Sequence, residues 1–407
     1  MSSPFRVLLL VDCFYPVTKS APKMIHDLAT EFVAMGYEAT ILAPSEFISS
    51  PLAFDSLGGV EVVRVKYPRL KGALRVLRGL GELFLSPLLW RKTRKLLSAR
   101  RYDLIVFYSP TIFLGPLIKR LKALWRCPSY LVLRDIWPQF LVDTGVLSRG
   151  PLLKVFERFE QVQNDSADVI GVQTAGDLQH FEGESKVEVL QNWITVKEQR
   201  PDKRFRAKYG FEDKVIFLYG GNFGIAQDLE NLLRLAEALR DHNEAVFVFL
   251  GSGTEEGKLK DYAARNDLRN VLFLPAVDQE AFESIVAASD VGMISLHHKF
   301  SIQNVPGKLL SYLNASKPVL CSVNAGNDLF GLVAKAQAGF CILNSDDKTL
   351  VEAAIKLLKS KDLRALCGSS GRSYLERHLT VQAAARQILS HFGRVTATSS
   401  VDSVSTT

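Results

Sequence analysis

Three consecutive residues, Pro306-Gly307-Lys308, have the types and the order that bind an anion at the start of a helix. Proline suits that start because its φ is already near the helical value and its missing N–H is not needed there. Glycine lets the backbone approach a ligand closely. The free N–H groups, the helix dipole and the lysine ammonium then converge on one point, where the usual ligand is a phosphate. An ordinary strand–turn–helix with an exposed lysine is the alternative.

A glycine-rich segment, Gly220-Gly221-Asn222-Phe223-Gly224, gives a second signal of the same kind. It follows an apolar run at 215–219 that predicts a buried strand, and it precedes a helical pattern at 228–239. Such turns bring backbone amides close to a phosphate chain, although many strand-to-helix connections carry glycine for geometry alone. Two such segments in one half of the chain favour a cradle for a nucleotide diphosphate.

Length and composition limit the class of protein. A chain of 407 residues is too long for one core and suggests two domains, and 47% hydrophobic with 23% charged residues is typical of a folded globular protein. No signal peptide or membrane span is expected, because the apolar run at 80–90 contains Glu82 and Pro87. The cysteines show no metal-binding spacing, so we predict free thiols in a reducing cytosol and no metal site. They are Cys13, Cys127, Cys321, Cys341 and Cys367.

The net charge of +7 is concentrated in one stretch, where Glu82 is the only acid between residues 64 and 101. The basic residues of this stretch are Arg64, Lys66, Arg69, Lys71, Arg75, Arg78, Arg91, Lys92, Arg94, Lys95, Arg100 and Arg101, followed by Lys119, Arg120, Lys122 and Arg126. Apolar residues interleave with them at Leu74, Leu77, Leu80, Leu83, Phe84, Leu88, Leu89 and Trp90. This pattern favours helices that lie on an anionic membrane surface. No motif for nucleic acid accompanies it, and a solvated basic face is the alternative.

Apolar runs alternate with helical patterns along the whole chain. The predicted strands are 6–11, 38–42, 60–65, 104–107, 129–133 and 169–172, then 215–219, 245–250, 271–274, 291–294, 319–322 and 341–343. Predicted helices lie between them, such as 23–35, which Gly36 closes, and 70–99, broken near Pro87. The alternation predicts an α/β fold with two doubly wound parallel sheets whose strand ends face a cleft.

The expected domains are 1–195 and 196–375, joined by an aperiodic linker at 192–202. A C-terminal helix at 376–393 should return toward the first domain. A tail at 394–407 should be disordered, because it has few core-forming residues.

Five segments in order along the chain carry a family resemblance. They are RDIWP at 134–138, GGNFGIAQDLENLL at 220–233, FLGSGTEEGKL at 249–259, NVLFLPAV at 270–277 and VPGKLLSYLNASKPVL at 305–320. With them the chain resembles the family 4 glycosyltransferases of the GT-B type. It is most similar to bacterial enzymes of O-antigen, capsule and exopolysaccharide synthesis, including N-acetyl-fucosamine transferases. The resemblance implies two Rossmann-like domains facing a cleft, the first for the acceptor and the second for a nucleotide sugar.

The resemblance also implies a donor site. It places the donor diphosphate between 221–224 and 306–308, and the base beside 275–277. The implied donor-contacting residues are Gly221, Asn222, Phe223, Gly224, Gly251, Pro275, Val277, Gln303, Pro306, Gly307, Lys308 and Ser311. Gln303 and Ser311 stand where many members have two glutamates. Asn222 and Gln227 stand where many have an arginine and a lysine, which leaves more of the phosphate binding to Lys308 and backbone amides.

In the first half, Asp135 is expected to orient or deprotonate an acceptor hydroxyl, and Arg134 to help hold charge; a structural pair is the alternative. Lys19 either contacts a phosphate or lies in a displaced loop. His297 and His298 either recognise sugar hydroxyls or form a plain loop pair.

The resemblance implies a retaining, metal-independent transferase without a cofactor. It would move a hexose or N-acetylhexosamine from a UDP donor to a lipid-pyrophosphate-linked saccharide, in the cytoplasm at the inner face of the membrane. One alternative is a UDP-sugar epimerase of the same fold, which needs a His, Glu and Asp set; we find no Glu at the start of the second-domain helix. The other is a non-catalytic nucleotide-sugar-binding protein.

Overall fold

The computed structural model describes residues 4–17, 20–67, 82–109, 111–138, 148, 150–299 and 305–393. The chain divides into two compact units, residues 1–191 with 381–407, and residues 192–380. The predicted boundary at 375/376 falls inside a helix that ends at His378. The chain leaves the second unit after Thr380 and rejoins the first unit at Val381. Predictions on Lys19, Gln303, residues 68–81 and the tail lie outside the described residues.

The first unit contains an eight-stranded sheet with the order β3-β4-β2-β1-β5-β6-β7-β8. Its strands are β1 (Arg6–Leu10), β2 (Glu38–Ser45), β3 (Leu52–Leu57), β4 (Val60–Lys66), β5 (Leu104–Tyr108), β6 (Ser129–Val132), β7 (Val169–Val172) and β8 (Val187–Val189). Its first helices are α1 (Ser20–Ala34), α2 (Leu85–Ser98), α3 (Gly115–Trp125) and α4 (Pro151–Ser166). Every residue of β5 is buried, as expected for a parallel strand covered on both faces.

Two strands of this sheet were not predicted. β3 pairs antiparallel with β4 across Gly58 and Gly59, which have φ values of 61° and 81°. Most of β3 is exposed, so it lacks an apolar signal. β8 has three residues, too few for an apolar run to stand out.

The second unit contains a six-stranded sheet with the order β11-β10-β9-β12-β13-β14, and every strand pairing is parallel. Its strands are β9 (Val215–Asn222), β10 (Ala245–Ser252), β11 (Val271–Leu274), β12 (Val291–Ser295), β13 (Val319–Val323) and β14 (Gly339–Leu343). Its helices are α5 (Lys203–Tyr209), α6 (Leu229–Ala238), α7 (Glu256–Arg265), α8 (Gln279–Ala288), α9 (Lys308–Asn314), α10 (Leu329–Ala336), α11 (Asp347–Lys359) and α12 (Lys361–His378). The direction of winding reverses between β9 and β12, the place where such sheets bind ligands.

The alternating side chains of β9 show why this sheet is buried on both sides. Ile216 and Leu218 belong to one core cluster, and Phe217 and Tyr219 belong to another. The predicted α/β fold with two sheets of mainly parallel strands is confirmed, and the edge strand β3 of the first sheet is the antiparallel exception.

The last described helix, α13 (Val381–Ser390), belongs to the first unit. Gln382 Nε2 donates to Glu31 Oε2 of α1 at 2.7 Å, and Gln387 Nε2 donates to Val189 O of β8 at 2.9 Å. Both ends of the described chain thus contribute to the same unit.

Candidate functional site

The glycine-rich segment after residue 219 is a strand end rather than a free turn. We predicted that the strand stops at Tyr219, but β9 continues to Asn222 and pairs Gly221 with Gly251 of β10. A Cβ on Gly251 would lie 1.8 Å from Gly221 O, and Gly251 has a φ of 154°. Glycine is therefore required here for the close approach of two strands, a geometry that an apolar pattern cannot reveal.

Lys308 reaches this strand end from the start of α9. Its Nζ lies 3.6 Å from the centroid of the Tyr219 ring and 3.2 Å from the place that a Cβ on Gly221 would occupy. The structure thus brings the two predicted anion-binding segments together. Removal from water lowers the pKa of Lys308 to about 7, and no ion pair among the described residues includes it. A half-buried ammonium with no carboxylate beside it suits a bound anion, which would raise its pKa again.

Tyr312 fixes α9 against the sheet. Its buried hydroxyl accepts the Gly220 N–H at 3.2 Å and lies 3.0 Å from Leu218 O and 3.3 Å from Met293 O, where it can donate. A Cβ on Gly292 would lie 2.3 Å from the Tyr312 ring, so the glycine in β12 makes room for the ring. Tyr312 lies one helical turn after Lys308 and therefore sets its position. Tyr312 was not among the predicted site residues. The available signal was Gly292, a glycine inside the apolar run that forms β12.

Other residues of the predicted donor site differ in accessibility. Phe223 is 1% exposed, its N–H donates to Ser252 O at 2.8 Å, and its ring packs against Phe273. Its amide is therefore already paired, which corrects the expectation that it donates to a phosphate. Ser311 and Gly224 are buried, Pro306 is half-buried, and Asn222, Gly307, Pro275 and Val277 are exposed. Asn222 Nδ2 donates to Gln227 Oε1 at 3.0 Å.

In the first unit, charged groups gather at the carboxyl ends of the parallel strands. Arg134 follows β6 and donates from Nη1 to Leu190 O at 2.5 Å, and burial lowers its pKa. Asp135 keeps exposed surface, yet protein atoms close to its carboxylate raise its pKa, Arg134 opposes the rise, and the charges of Asp177 and Asp12 add to it. A carboxylate with a raised pKa suits proton transfer.

Asp12 and Asp177 were not among the predicted site residues. Asp12 follows β1, and Asp177 lies in the 3-10 helix after β7, where its Oδ2 accepts from the Thr174 hydroxyl at 2.8 Å. The available signal was a carboxylate after each of two buried strands.

A cavity of about 380 Å³ lies beside the Trp137-Pro138 segment, within the first unit. Ile136 and Pro138 form part of its wall, and Glu160 of α4 lines it, with a pKa that burial raises to about 7. The Trp137 ring packs against the core of the first unit.

The described part of the basic stretch is only partly free. Four of its basic residues form ion pairs within the first unit: Arg64 with Asp55, Arg100 with Glu61, Lys119 with Asp165 and Lys122 with Asp168. On α2, Leu89 is buried in the core and Trp90 packs against that core. This burial corrects the expectation that the apolar side of the helix faces a membrane. The exposed side carries Arg91, Arg94 and Lys95, and Phe84 at its start is 67% exposed. No helix among the described residues is long and apolar enough to cross a membrane.

Two protein families match this chain, one over each of the two units. Residues 201–374 match the family described as "Glycosyl transferases group 1", and residues 21–193 match "Glycosyl transferase 4-like domain". "Probable glycosyltransferase WbjE" of Pseudomonas aeruginosa is 24% identical over 77% of this chain and 79% of that protein. "Putative colanic acid biosynthesis glycosyl transferase WcaI" of Escherichia coli is 23% identical over 79% and 81%. The solved structure of Anabaena HepE in complex with UDP and glucose is 14% identical, has a TM-score of 0.69, and covers 96% of this chain and 100% of its own.

Proposed function

Because the chain belongs to the family 4 glycosyltransferases of the GT-B type, we propose that it transfers a hexose or N-acetylhexosamine from a UDP donor to a lipid-pyrophosphate-linked saccharide. The anomeric configuration is retained, and neither a metal ion nor a cofactor takes part in the transfer. The product belongs to cell-surface or exopolysaccharide synthesis, in line with the colanic acid biosynthesis for which WcaI is named.

The position of Lys308 carries this proposal. When the bond between sugar and diphosphate breaks, negative charge grows on the diphosphate, and a fixed positive group lowers the barrier. The Lys308 ammonium, held over Tyr219 beside Gly221, offers that charge without a competing carboxylate among the described residues. A lysine in this role replaces the metal ion that other transferases use for the same charge.

UDP is the proposed donor nucleotide for two reasons. The similar HepE structure is a complex with UDP and glucose, and the exposed Pro275 and Val277 follow β11, where the family resemblance puts the base. Gly251, whose missing side chain lets β10 pack closely against β9, remains among the proposed donor-site residues.

On the acceptor side, Asp135 is the proposed proton acceptor, and Arg134 holds charge near it. The raised pKa of Asp135 supports this role over a simple structural pair. The acceptor lipid brings the enzyme to the cytoplasmic face of the membrane, where the exposed basic residues of α2 meet anionic headgroups.

A panel of UDP-sugars tests the proposal. The protein is incubated with each donor, with and without a lipid-pyrophosphate-linked saccharide, and free UDP and all sugar products are quantified with a chelator present. Acceptor-dependent release of UDP supports the transferase, and loss of release in Lys308→Ala but not in the surface control Lys258→Ala links it to the site. An isomerised UDP-sugar without free UDP would instead identify an epimerase, and binding without any product a non-catalytic protein.

A further inference from the structure

Three possible metal ligands from distant parts of the sequence lie together in the second unit. One nitrogen each of His297 and His298 and one carboxylate oxygen of Asp228 lie within 4.8 Å of one another. The two histidines directly follow β12, and Asp228 stands immediately before α6. Two imidazoles and a carboxylate are a ligand set that zinc and similar transition-metal ions prefer.

Asp228 is held in a backbone conformation that residues other than glycine seldom adopt, with a φ of 43° and a ψ of 59°. Ser295 Oγ donates to its carbonyl at 3.0 Å. Asn344 Nδ2 donates to its Oδ2 at 2.9 Å and to Leu296 O at 2.8 Å. Ser295 and Asn344 thus hold the carbonyl and the carboxylate of Asp228 in place. Asn344 also supplies the orienting hydrogen bond that a metal-bound carboxylate usually receives.

Hydrogen bonds hold His297 in place, whereas the His298 ring is exposed. The backbone N–H of His297 donates to Ala226 O at 3.0 Å, which connects the loop after β12 to the segment before Asp228. His297 Nδ1 accepts the Lys299 N–H at 3.1 Å, so this nitrogen has a lone pair in the neutral ring. His298 is exposed and stacks on His297 with centroids 4.7 Å apart.

We propose that Asp228, His297 and His298 bind a divalent transition-metal ion of the zinc class, with a fourth position left to water. Ligands at zinc-bond length in a tetrahedron stand about 3.4 Å apart, so the three atoms, which lie within 4.8 Å of one another, must move closer when the ion binds. The bound ion links the connection between β9 and α6 to the loop after β12. This site goes beyond the proposed function, which assigns the leaving group to Lys308 and requires no metal.

Zinc binding is measured on the full chain by competition with a chromophoric chelator. The wild type is expected to bind one equivalent, His298→Ala and Asp228→Asn to bind at least about tenfold more weakly, and the double variant of both histidines to lose the site. His242→Ala is the matched control, because His242 is a half-buried histidine 3.6 Å from Glu244, and it should bind as the wild type does. Cobalt in place of zinc should give an absorption spectrum of a four-coordinate ion.

Hydrogen exchange at 225–228 and 296–299 should slow when zinc is added to the wild type and stay unchanged in His298→Ala. The inference fails if the wild type binds no zinc, or if His298→Ala binds it as tightly as the wild type. Because His298 is exposed, its replacement does not put folding at risk. Zinc binding without sugar transfer would overturn the proposed function and leave this site standing, and transfer without zinc binding would do the reverse.

Discussion

Lys308 is a half-buried lysine whose charged form a bound diphosphate would stabilise. Removal from water favours its neutral form, and the Tyr219 ring beneath it gives only a weak compensating attraction. A diphosphate at this place would restore the charged form. The affinity for the proposed UDP donor should therefore be coupled to the protonation of Lys308.

Replacing Lys308 with alanine should weaken UDP binding by about 1.5–3 kcal/mol, the range for a hydrogen bond to a charged group. The wild-type affinity should also depend on pH. Above the pKa of about 7, the free lysine is mostly neutral and must take up a proton to bind, so affinity falls by up to about tenfold for each further pH unit. Calorimetry from pH 7 to 9 measures both effects.

Lys308→Arg provides the sharper control for this prediction. Its guanidinium stays protonated over the whole range, so UDP affinity should no longer fall with pH. Lys258→Ala, on the exposed face of α7, should behave as the wild type. An unchanged UDP affinity in Lys308→Ala would show that the lysine does not contact the diphosphate.

Asp135 should act in turnover and not in donor binding. Asp135→Asn keeps the shape of the side chain and removes its basicity, so the transfer rate should fall about 100-fold or more while UDP affinity stays nearly the same. In the wild type, the raised pKa shifts the acidic limb of the kcat profile above the range of an ordinary aspartate, because the base must be deprotonated. Asp165→Asn on α4 is the control. Normal turnover in Asp135→Asn would favour a structural role beside Arg134.

At this scale the sequence predicted residues whose neighbours in the chain already define the chemistry. Lys308 follows Pro306 and Gly307, and Arg134 and Asp135 follow an apolar strand. It could not predict Asp228 beside His297, because the contact joins segments far apart in sequence and has no motif spacing. The expectation of no metal site came from that same lack of spacing.

Among the elements, α9 is anchored by a side-chain hydroxyl, that of Tyr312, which the sequence did not reveal. Tyr312→Phe keeps the packing of the ring and leaves the buried Gly220 N–H without its acceptor. The loss should lower the free energy of unfolding by about 1–3 kcal/mol and weaken UDP binding through the displaced Lys308. Chemical denaturation and calorimetry on the same variant measure the two effects.

Tyr374→Phe on α12 is the control for this prediction, because the described residues give its hydroxyl no hydrogen-bond partner. It should change neither quantity by more than a few tenths of a kcal/mol. If Tyr312→Phe unfolds at the wild-type denaturant concentration, the hydroxyl does not anchor α9.

The strands show what an apolar pattern can and cannot specify. Central strands such as β5 and β7 were predicted within a residue, because burial on both faces requires unbroken apolar runs. The end of β9 was placed too early, because Gly220 and Gly221 are typical of turns while their pairing with β10 depends on distant residues. The exposed β3 gave no apolar signal at all.

At the scale of the whole molecule, exposed positive charge among the described residues supports the proposed contact with an anionic surface. In the described basic stretch, Arg64, Arg100, Lys119 and Lys122 form ion pairs with acidic residues of the same unit. What remains on α2 is Arg91, Arg94 and Lys95, for which the described residues offer no ion pair, with the exposed Phe84 at the start of the same helix. Attraction to a membrane should therefore be mainly electrostatic.

Replacing Arg91, Arg94 and Lys95 together with serine should reduce binding to anionic vesicles and leave UDP binding unchanged. Each basic residue near an anionic surface contributes about 1 kcal/mol, and salt screens the attraction over about 8 Å at physiological ionic strength. Sedimentation with vesicles should thus require anionic lipid and fall steeply as salt is raised. The matched variant in the second unit, with Lys258, Lys260 and Arg265 replaced by serine, removes the same charge and should sediment as the wild type does. Because both variants lose the same net charge, a difference between them can be assigned to the position of the α2 residues. Equal sedimentation of the α2 variant and the wild type would exclude this surface as the membrane contact.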